Sequence, residues 1–265
     1  MNAIIPTARF SLAVLFASAV IGTTAAQTVD LDVPFVATPP QVVDKMIEIA
    51  GVKEGDVVID LGSGDGRIAI AAAKKGARAY GVDINPVRVG EANANAKQAG
   101  VADRVTFREQ DLFDTNIKDA DVITMYLLPS VNRDLRPRLL DLEPGTRVVS
   151  HAFDMGEWEA DQRTSVDGRE VYFWKVPAKA QGHWTFQHNG QSFPVSLTQR
   201  FQKIEGTTSL NGGSSEVKGT VDGDVLRLAL NTPEGPREFH GRVNGNTLEP
   251  IAVEGAATGW TARRG

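Results

Sequence analysis

The stretch from Val57 to Arg67 constrains the fold of this chain more than any other part of the sequence. It begins with the apolar run Val-Val-Ile-Asp-Leu and continues as Gly-Ser-Gly-Asp-Gly before Arg67. The run has the length and β-branching of a strand that is buried on both faces, and residues 67–75 are typical of an alanine-rich helix. Glycine at every second position of the connecting loop permits positive φ and lets a ligand lie on main-chain N–H groups at a helix N-terminus. The stretch therefore predicts a strand, a tight turn and a helix around a binding loop.

The spacing of these glycines separates two kinds of nucleotide site. Dinucleotide-binding loops need G-x-G-x-x-G, whereas this loop reads G-x-G-x-G and has Arg67 in place of the third glycine. The spacing argues against NAD. With an acid at the strand end, the loop resembles the first motif of the seven-strand S-adenosylmethionine (SAM) methyltransferases; a glycine-rich turn without a ligand is the alternative. The resemblance implies that SAM is bound here by Asp60, Gly62, Ser63, Gly64 and Gly66.

Two further acids follow the next two apolar runs. Asp83 ends the run 77–83. A carboxylate at this strand end can accept hydrogen bonds from both ribose hydroxyls of an adenosine ligand. The alternative is that Asp83 caps the following helix. Asp111 follows a short strand at residues 105–107, and in the same resemblance it accepts a hydrogen bond from the adenine amino group while Leu112 packs against the base. A plain surface turn is the alternative for Asp111. Three acids at three successive strand ends indicate one shared site.

The remaining pattern predicts a doubly wound α/β sheet. Thr38 stands where an N-cap would precede Pro39, so a helix is expected to run from there to Ala50. Pro86 is expected to open another helix, which Gly100 ends. Further predictions are a helix at 133–142, a fourth strand with its exit loop within 121–130 and a fifth strand with its exit loop within 147–156. A closing strand is expected at 171–176, separated from the fifth by residues 158–169.

The loops after the fourth and fifth strands are where an open α/β sheet places its chemistry. After the fourth strand the chain reads Tyr126-Leu-Leu-Pro-Ser, without the Asn/Asp-Pro-Pro-aromatic tetrad of many amide and base methyltransferases. DNA-amine and glutamine methylation are therefore poor fits. The Tyr126 ring could hold a cation by π contact, and His151 and Asp154 follow the fifth strand. These three residues are the candidate catalytic groups, with an ordinary hydrogen-bonding role in the loop as the alternative for His151.

Several segments together resemble a narrower family. They are Pro34-Phe35-Val36-x-Thr38-Pro39, residues 60–68, Asn85-Pro86, Leu128-Pro129-Ser130 and residues 147–156. Over about residues 31–177 the chain is similar to the small lysine methyltransferases that include the mitochondrial ATP synthase c-subunit methyltransferase. The resemblance implies SAM as the cofactor and protein lysine as the favoured acceptor, and it is compatible with a membrane-associated substrate. It also implies that SAM contacts Phe35, Thr38, Ile84 and Tyr126.

The last third of the chain changes in character. From about residue 180 short β-type runs alternate with turn sequences such as His188-Asn-Gly, Asn211-Gly-Gly and Asn244-Gly-Asn, at intervals of 8 to 12 residues. About eight antiparallel strands are expected, in a small barrel or sandwich that closes with Trp184 near Trp260. A substrate or partner module and a structural or dimerisation element are both compatible with this pattern.

The first 26 residues are typical of a targeting segment. Arg9 provides a positive charge, residues 10–22 form an apolar run, and Thr24-Ala-Ala resembles a cleavage site. The expected organisation is therefore a signal peptide at 1–26, a methyltransferase domain at 27–178 and an all-β domain at 179–265. Export to the periplasm, or anchoring in the membrane by an uncleaved leader, is expected.

The amino-acid composition limits the kinds of metal site and binding partner that the chain can have. The chain has no cysteine, four histidines and a net charge of −5. Thiolate metal sites are excluded, no metal is expected, and a basic footprint for nucleic acid is lacking. The sequence thus predicts a SAM-dependent methyltransferase acting on an acceptor nitrogen. The alternatives are a small-molecule or lipid methyltransferase and a non-catalytic nucleoside-binding sensor or scaffold.

Overall fold

The computed structural model describes residues 35–210, 213–232 and 235–265, without the side chains of residues 210 and 232. The leader expected at 1–26, Pro34 of the family motif and part of the turn at 211–213 lie outside the described residues. Within the described part of the chain, no helix is both long and apolar enough to cross a bilayer.

The first two thirds form an α/β unit of four helices and seven strands. The helices are α1 (Pro40–Ile49), α2 (Arg67–Lys74), α3 (Pro86–Gln98) and α4 (Pro129–Leu139). The strands are β1 (Val57–Leu61), β2 (Arg78–Asp83), β3 (Val105–Glu109), β4 (Val122–Met125), β5 (Arg147–His151), β6 (Gln162–Val166) and β7 (Arg169–Lys175).

The sheet has the order β3-β2-β1-β4-β5-β7-β6. Its first five strands are parallel, whereas β7 runs antiparallel to both β5 and β6. Alternate strand residues face two cores: Val58 packs with α1, α2 and α3, while Ile59 packs with α4. Burial on both faces is the reason that β1 reads as a continuous apolar run. The predicted doubly wound sheet is confirmed.

Three local predictions were wrong. The cap of α1 is Pro39 rather than Thr38, whose hydroxyl is hydrogen-bonded to His151 instead. Helix α4 begins at Pro129, four residues earlier than predicted, because the fixed φ of proline suits the first helical turn. Strand β6 was missed within the expected interruption at 158–169. It pairs along one edge, with β7, and its sequence Gln-Arg-Thr-Ser-Val carries no apolar periodicity.

The last third forms a closed antiparallel barrel of eight strands. They are β8 (Gly182–His188), β9 (Gln191–Arg200), β10 (Lys203–Leu210), β11 (Gly213–Asp222), β12 (Val225–Thr232), β13 (Gly235–Asn244), β14 (Thr247–Pro250) and β15 (Thr261–Arg264). Closure occurs between β15 and β8, where Arg264 pairs with Trp184. Trp260 stacks on Phe186, with 5.5 Å between ring centroids. The barrel prediction is confirmed, and side chains fill its interior, as the diameter of an eight-stranded barrel allows.

The barrel packs against α4 and the loop that follows β5. Phe201, in the turn between β9 and β10, stacks on Trp158 with 6.3 Å between centroids, and the Arg136 guanidinium lies 5.5 Å from the Phe201 ring. Lys203 forms an exposed ion pair of 2.8 Å with Glu159. All described residues belong to one compact unit. The division at residues 178 and 179 remains a sequence prediction.

Candidate functional site

One cleft lies at the carboxyl ends of β1 to β4. Its empty volume, counted together with adjoining open solvent, is about 1000 Å³, and residues 35–38 form one of its walls. This is the edge at which parallel α/β sheets bind ligands. Nine of the residues predicted to contact a cofactor line it: Phe35, Thr38, Gly62, Ser63, Asp83, Ile84, Asp111, Leu112 and Tyr126. Asp60, Gly64 and Gly66 lie behind this lining.

The glycine loop has a left-handed backbone at all three glycines. Gly62, Gly64 and Gly66 have φ of 74°, 52° and 81°. A Cβ on Gly62 would lie 2.7 Å from Leu127 Cδ2, and one on Gly64 would overlap the ring of Phe35. The loop therefore presents bare backbone to the cleft at positions where side chains do not fit.

Asp83 connects the glycine loop to the start of α3. One carboxylate oxygen accepts a hydrogen bond from the Gly64 N–H (2.8 Å) and the other accepts one from the Asn85 N–H (2.9 Å). The cap of α3 is Asn85, which accepts from the Val87 N–H, so helix capping is not the role of Asp83. Each oxygen keeps a lone pair for a further donor in the cleft.

Asp111 and two apolar side chains form the far end of the cleft. Asp111 accepts a hydrogen bond of 2.7 Å from the Phe113 N–H, which holds the loop after β3 in a turn. Leu112 and Ile84 line the same end, and Ile84 is 42% exposed. An exposed carboxylate beside two apolar side chains suits a flat heteroaromatic ring with a donor at its edge.

Asp60 lies buried beneath the loop, at 1% exposure. One carboxylate oxygen accepts a hydrogen bond of 2.7 Å from the Thr124 hydroxyl. The other makes no hydrogen bond of normal geometry among the described residues, and neither does the buried Ser63 hydroxyl. Burial raises the pKa of Asp60 to about 7, although the Thr124 hydroxyl acts in the opposite direction. Two unpartnered polar atoms at this place are costly unless a ligand or water reaches them.

Tyr126 lines the cleft, and its ring contacts that of His151, which lies outside the lining. Their ring centroids are 4.0 Å apart, and His151 Nδ1 lies 3.1 Å from the Thr38 hydroxyl. His151 is 2% exposed. Its burial, together with the charge of Arg169, lowers its pKa to about 4, so the imidazole is neutral at pH 7.

The buried His151 should leave a signature in the pH dependence of stability. Its pKa is about 4 in the folded protein, whereas that of an exposed histidine is 6.5, so below pH 6.5 the unfolded chain binds a proton that the native protein does not. We expect the free energy of unfolding to fall by about 2–3 kcal/mol, relative to that of His151→Asn, as the pH drops from 6.5 to 4. Urea unfolding of both proteins at several pH values measures this difference.

The comparison with His151→Asn removes the opposite effect of Asp60. Because the pKa of Asp60 is raised, ionisation of this residue lowers stability as the pH rises from about 4 to 7, but it does so in both proteins. A difference between the two proteins that stays constant over this pH range would contradict a buried neutral His151.

Asp154 is not brought into contact with Tyr126 or His151 by any hydrogen bond or ring contact of the described residues. Its exposed carboxylate accepts a hydrogen bond of 3.0 Å from the Gly156 N–H and closes a turn.

Asn132, which the sequence did not indicate as a site residue, holds the loop after β5. The Asn132 amide, at 0% exposure, donates to the carbonyls of Phe153 and Asp154 at 3.2 Å each. A polar residue on a helix gives no sign of such a role.

Two arginines that the sequence did not single out hold the wall at 35–38. Arg67 Nη1 donates to the Thr38 carbonyl at 2.7 Å and forms an ion pair with Asp65. The Arg88 guanidinium lies 4.1 Å from the centroid of the Phe35 ring. These contacts fix the segment over the glycine loop.

Comparison with known proteins identifies relatives of the α/β unit. The family described as the ANTKMT methyltransferase domain matches residues 60–162, a range that ends before the barrel. The chain is 46% identical over 138 residues to a protein-lysine N-methyltransferase of Saccharolobus islandicus (strain REY15A). The match covers 51% of this chain and 86% of that protein. It is 37% identical over 131 residues to the adenine nucleotide translocase lysine N-methyltransferase of Mus musculus, with 49% and 57% covered.

A solved structure also matches about half of the chain. It is that of an RNA methyltransferase from Salinibacter ruber in complex with S-adenosyl-L-homocysteine, with 55% identity and a TM-score of 0.53. The match covers 54% of this chain and 95% of the other. The chain therefore spans most of the archaeal and Salinibacter proteins but little more than half of the mouse enzyme.

Proposed function

The chain belongs to the family of SAM-dependent methyltransferases described by the ANTKMT methyltransferase domain, and on this basis we propose that it methylates the side-chain nitrogen of a protein lysine. The observation that carries the choice of acceptor is the ring of Tyr126 in the wall of the cleft, against which the uncharged His151 packs. An uncharged aromatic surface accommodates a cationic amine, whereas a charged histidine would repel it. Relatives that act on lysine support the same choice.

The residues of the cleft fit SAM. Asp83 has free lone pairs for the ribose hydroxyls, and Ile84 and Leu112 offer apolar contact to the adenine, from whose amino group Asp111 would accept a hydrogen bond. The methionine end carries an ammonium group and a carboxylate. The unpartnered oxygen of Asp60 suits the former, and the bare backbone of the glycine loop at the N-terminus of α2 suits the latter.

Methyl transfer depends mainly on the alignment of the methyl donor with the acceptor nitrogen and on an unprotonated amine, and less on general acid–base catalysis. When bound, SAM would supply a methyl group on its sulfonium. An uncharged amine in line with it would form the bond to the methyl carbon as the bond from that carbon to sulfur breaks and S-adenosylhomocysteine leaves. A lysine must therefore lose its proton, and burial against apolar walls such as Leu127 and Val131 lowers the pKa of an amine. We propose that Tyr126 contacts the acceptor. His151 positions Tyr126 and the wall at Thr38, since its Nδ1 is engaged and its ring is buried. Asp154, whose exposed carboxylate accepts from the Gly156 N–H, remains a candidate proton acceptor.

RNA is a second candidate acceptor, because the solved relative from Salinibacter ruber is named an RNA methyltransferase. The net charge of −5 disfavours it, since sequence-independent binding to nucleic acid depends on clustered lysine and arginine. Lipid and small-molecule acceptors also remain alternatives to protein lysine. Membership of the family favours an enzyme over a sensor or scaffold.

The experiment that tests the acceptor follows a labelled methyl group. The protein is incubated with methyl-labelled SAM and, separately, with protein, RNA and lipid extracts, and the products are hydrolysed and identified by chromatography and mass spectrometry. We expect label in methylated lysine and its loss with Asp83→Ala. Label confined to nucleosides or to lipid would contradict the proposal.

We also propose export, which rests on the sequence of residues 1–26 alone. Fractionation of cells that express the full chain, followed by N-terminal sequencing, tests it. A mature protein that begins at Gln27 in the periplasmic fraction is expected, whereas an uncleaved chain in the cytoplasm would contradict export.

A further inference from the structure

Phe153 stacks with Tyr126 but does not itself line the cofactor cleft. The two ring centroids are 6.3 Å apart with an interplanar angle of 23°, so the rings are stacked. Tyr126 lines the cleft, whereas Phe153 lies outside its lining and is half-buried. The stack, which we call the aromatic face, therefore joins a ring in the wall of the cleft to a half-buried ring outside the lining.

The backbone around Phe153 is held in an unfavourable conformation. Ala152, between His151 and Phe153, has a φ of 67°, in the left-handed region that non-glycine residues seldom adopt. Its N–H donates to the Glu170 carbonyl at 2.7 Å, which fixes the turn to β7. Strain of this kind persists only where the surroundings impose it, and it is concentrated at functional sites.

Asn132 fixes the same turn from the other side. Its amide donates to the carbonyls of Phe153 and Asp154, and it also lies 3.2 Å from the Ser150 hydroxyl. The turn is thus tied both to α4 and to β7, and it places His151 and Phe153 against one ring, that of Tyr126. Such bracing gives the aromatic face a defined geometry before any acceptor binds.

We propose that Phe153 is a specificity-determining residue that, with Tyr126, holds the cationic side chain of the acceptor as it enters the cleft and the methylated cation as it leaves. The inference rests on the proposed function, because it assigns the contact by which lysine is selected. A quaternary or protonated amine is attracted to the faces of aromatic rings, and an uncharged isostere of the same shape is not. The neutral state of His151 keeps a competing positive charge away from this surface.

Binding of two small probes tests the proposal without catalysis. The probes are Nα-acetyl-Nε-trimethyllysine amide and its neutral analogue, in which carbon replaces the quaternary nitrogen; both are titrated calorimetrically in the presence of S-adenosylhomocysteine. We expect the wild-type protein to bind the cation about five- to tenfold more tightly than the neutral probe. Phe153→Leu should lose this preference and Phe153→Tyr should keep it. Equal affinity of the wild type for both probes, no binding of the cation, or an unchanged preference in Phe153→Leu would overturn the proposal.

A matched control and a second readout separate this role from a structural one. Tyr80→Leu removes an aromatic ring that is 39% exposed on β2, outside the cleft, and should keep the preference. With a protein that the wild type methylates, Phe153→Leu should raise KM for the acceptor while the affinity for SAM stays unchanged. If the wild type methylates lysine but its cation preference does not depend on Phe153, the inference fails and the proposed function stands. If the preference depends on Phe153 but the wild type methylates no lysine, the proposed function fails instead.

Discussion

Asp83→Ala should weaken SAM binding by a factor of about 100 or more. The carboxylate accepts hydrogen bonds from the N–H groups of Gly64 and Asn85, and in the proposed complex it accepts two more from the ribose. A hydrogen bond to a charged group contributes about 1.5–3 kcal/mol, so the loss of two such bonds accounts for this factor. Loss of the Gly64 contact should also loosen the backbone on which the methionine end would lie. Calorimetric titration with SAM measures the change.

Two further variants make this result specific. Asp83→Asn keeps one carbonyl acceptor and should bind SAM with an affinity between those of the wild type and Asp83→Ala. Asp103→Ala removes a carboxylate whose side chain is 73% exposed and should bind like the wild type. Wild-type affinity in Asp83→Ala would show that the ribose is held elsewhere.

Gly66→Ala should destabilise the fold by about 2–5 kcal/mol. Gly66 has a φ of 81°, which costs an alanine about 1–2 kcal/mol. A Cβ at this position would also lie 2.5 Å from Phe107 Cζ and 2.9 Å from the Ala92 Cβ, inside the core that α2 and α3 share with the sheet. Overpacking of this kind costs about 1–3 kcal/mol. Urea unfolding followed by circular dichroism measures the change.

Gly100→Ala is the matched control for this prediction. Gly100 follows α3 with a φ of 70°, and nothing lies within 4 Å of the position of its Cβ. The substitution therefore has the conformational cost of a positive φ without a steric clash, and we expect the free energy of unfolding to fall by about 1 kcal/mol. Equal losses in the two variants would mean that Phe107 moves aside freely and that the third glycine of the loop is needed for its φ alone.

The residues of the site that could be predicted from the sequence are those whose position follows from the end of a nearby strand. Asp60 and Asp83 lie at the carboxyl ends of β1 and β2, Asp111 follows β3, and parallel strands bring these ends to one edge of the sheet. The glycine spacing predicted the left-handed loop for the same reason, because the information is local. The hairpin turns of the barrel are equally local signals, and the expected eight strands were found.

The parts that could not be predicted depend on residues far apart in the chain. Thr38 reads as a helix cap, yet its hydroxyl is bonded to His151, 113 residues later. Asn132 and Phe153 carry ordinary helix and loop signals, and their contacts exist only once α4 lies beside the loop after β5. The edge strand β6 lacks an apolar pattern because it buries little. Local propensity is overridden by tertiary contacts in each of these cases.

A crystal structure of the complex with S-adenosylhomocysteine shows whether this cleft holds the cofactor and how its sulfur faces Tyr126. We expect the ribose on Asp83, the adenine between Ile84 and Leu112, and the sulfur turned towards Tyr126, so that the aromatic face lies on the path of the acceptor. A ligand bound in this cleft with its sulfur directed away from Tyr126, or a ligand bound outside the cleft, would contradict both the proposed mode of cofactor binding and the proposed path of the acceptor.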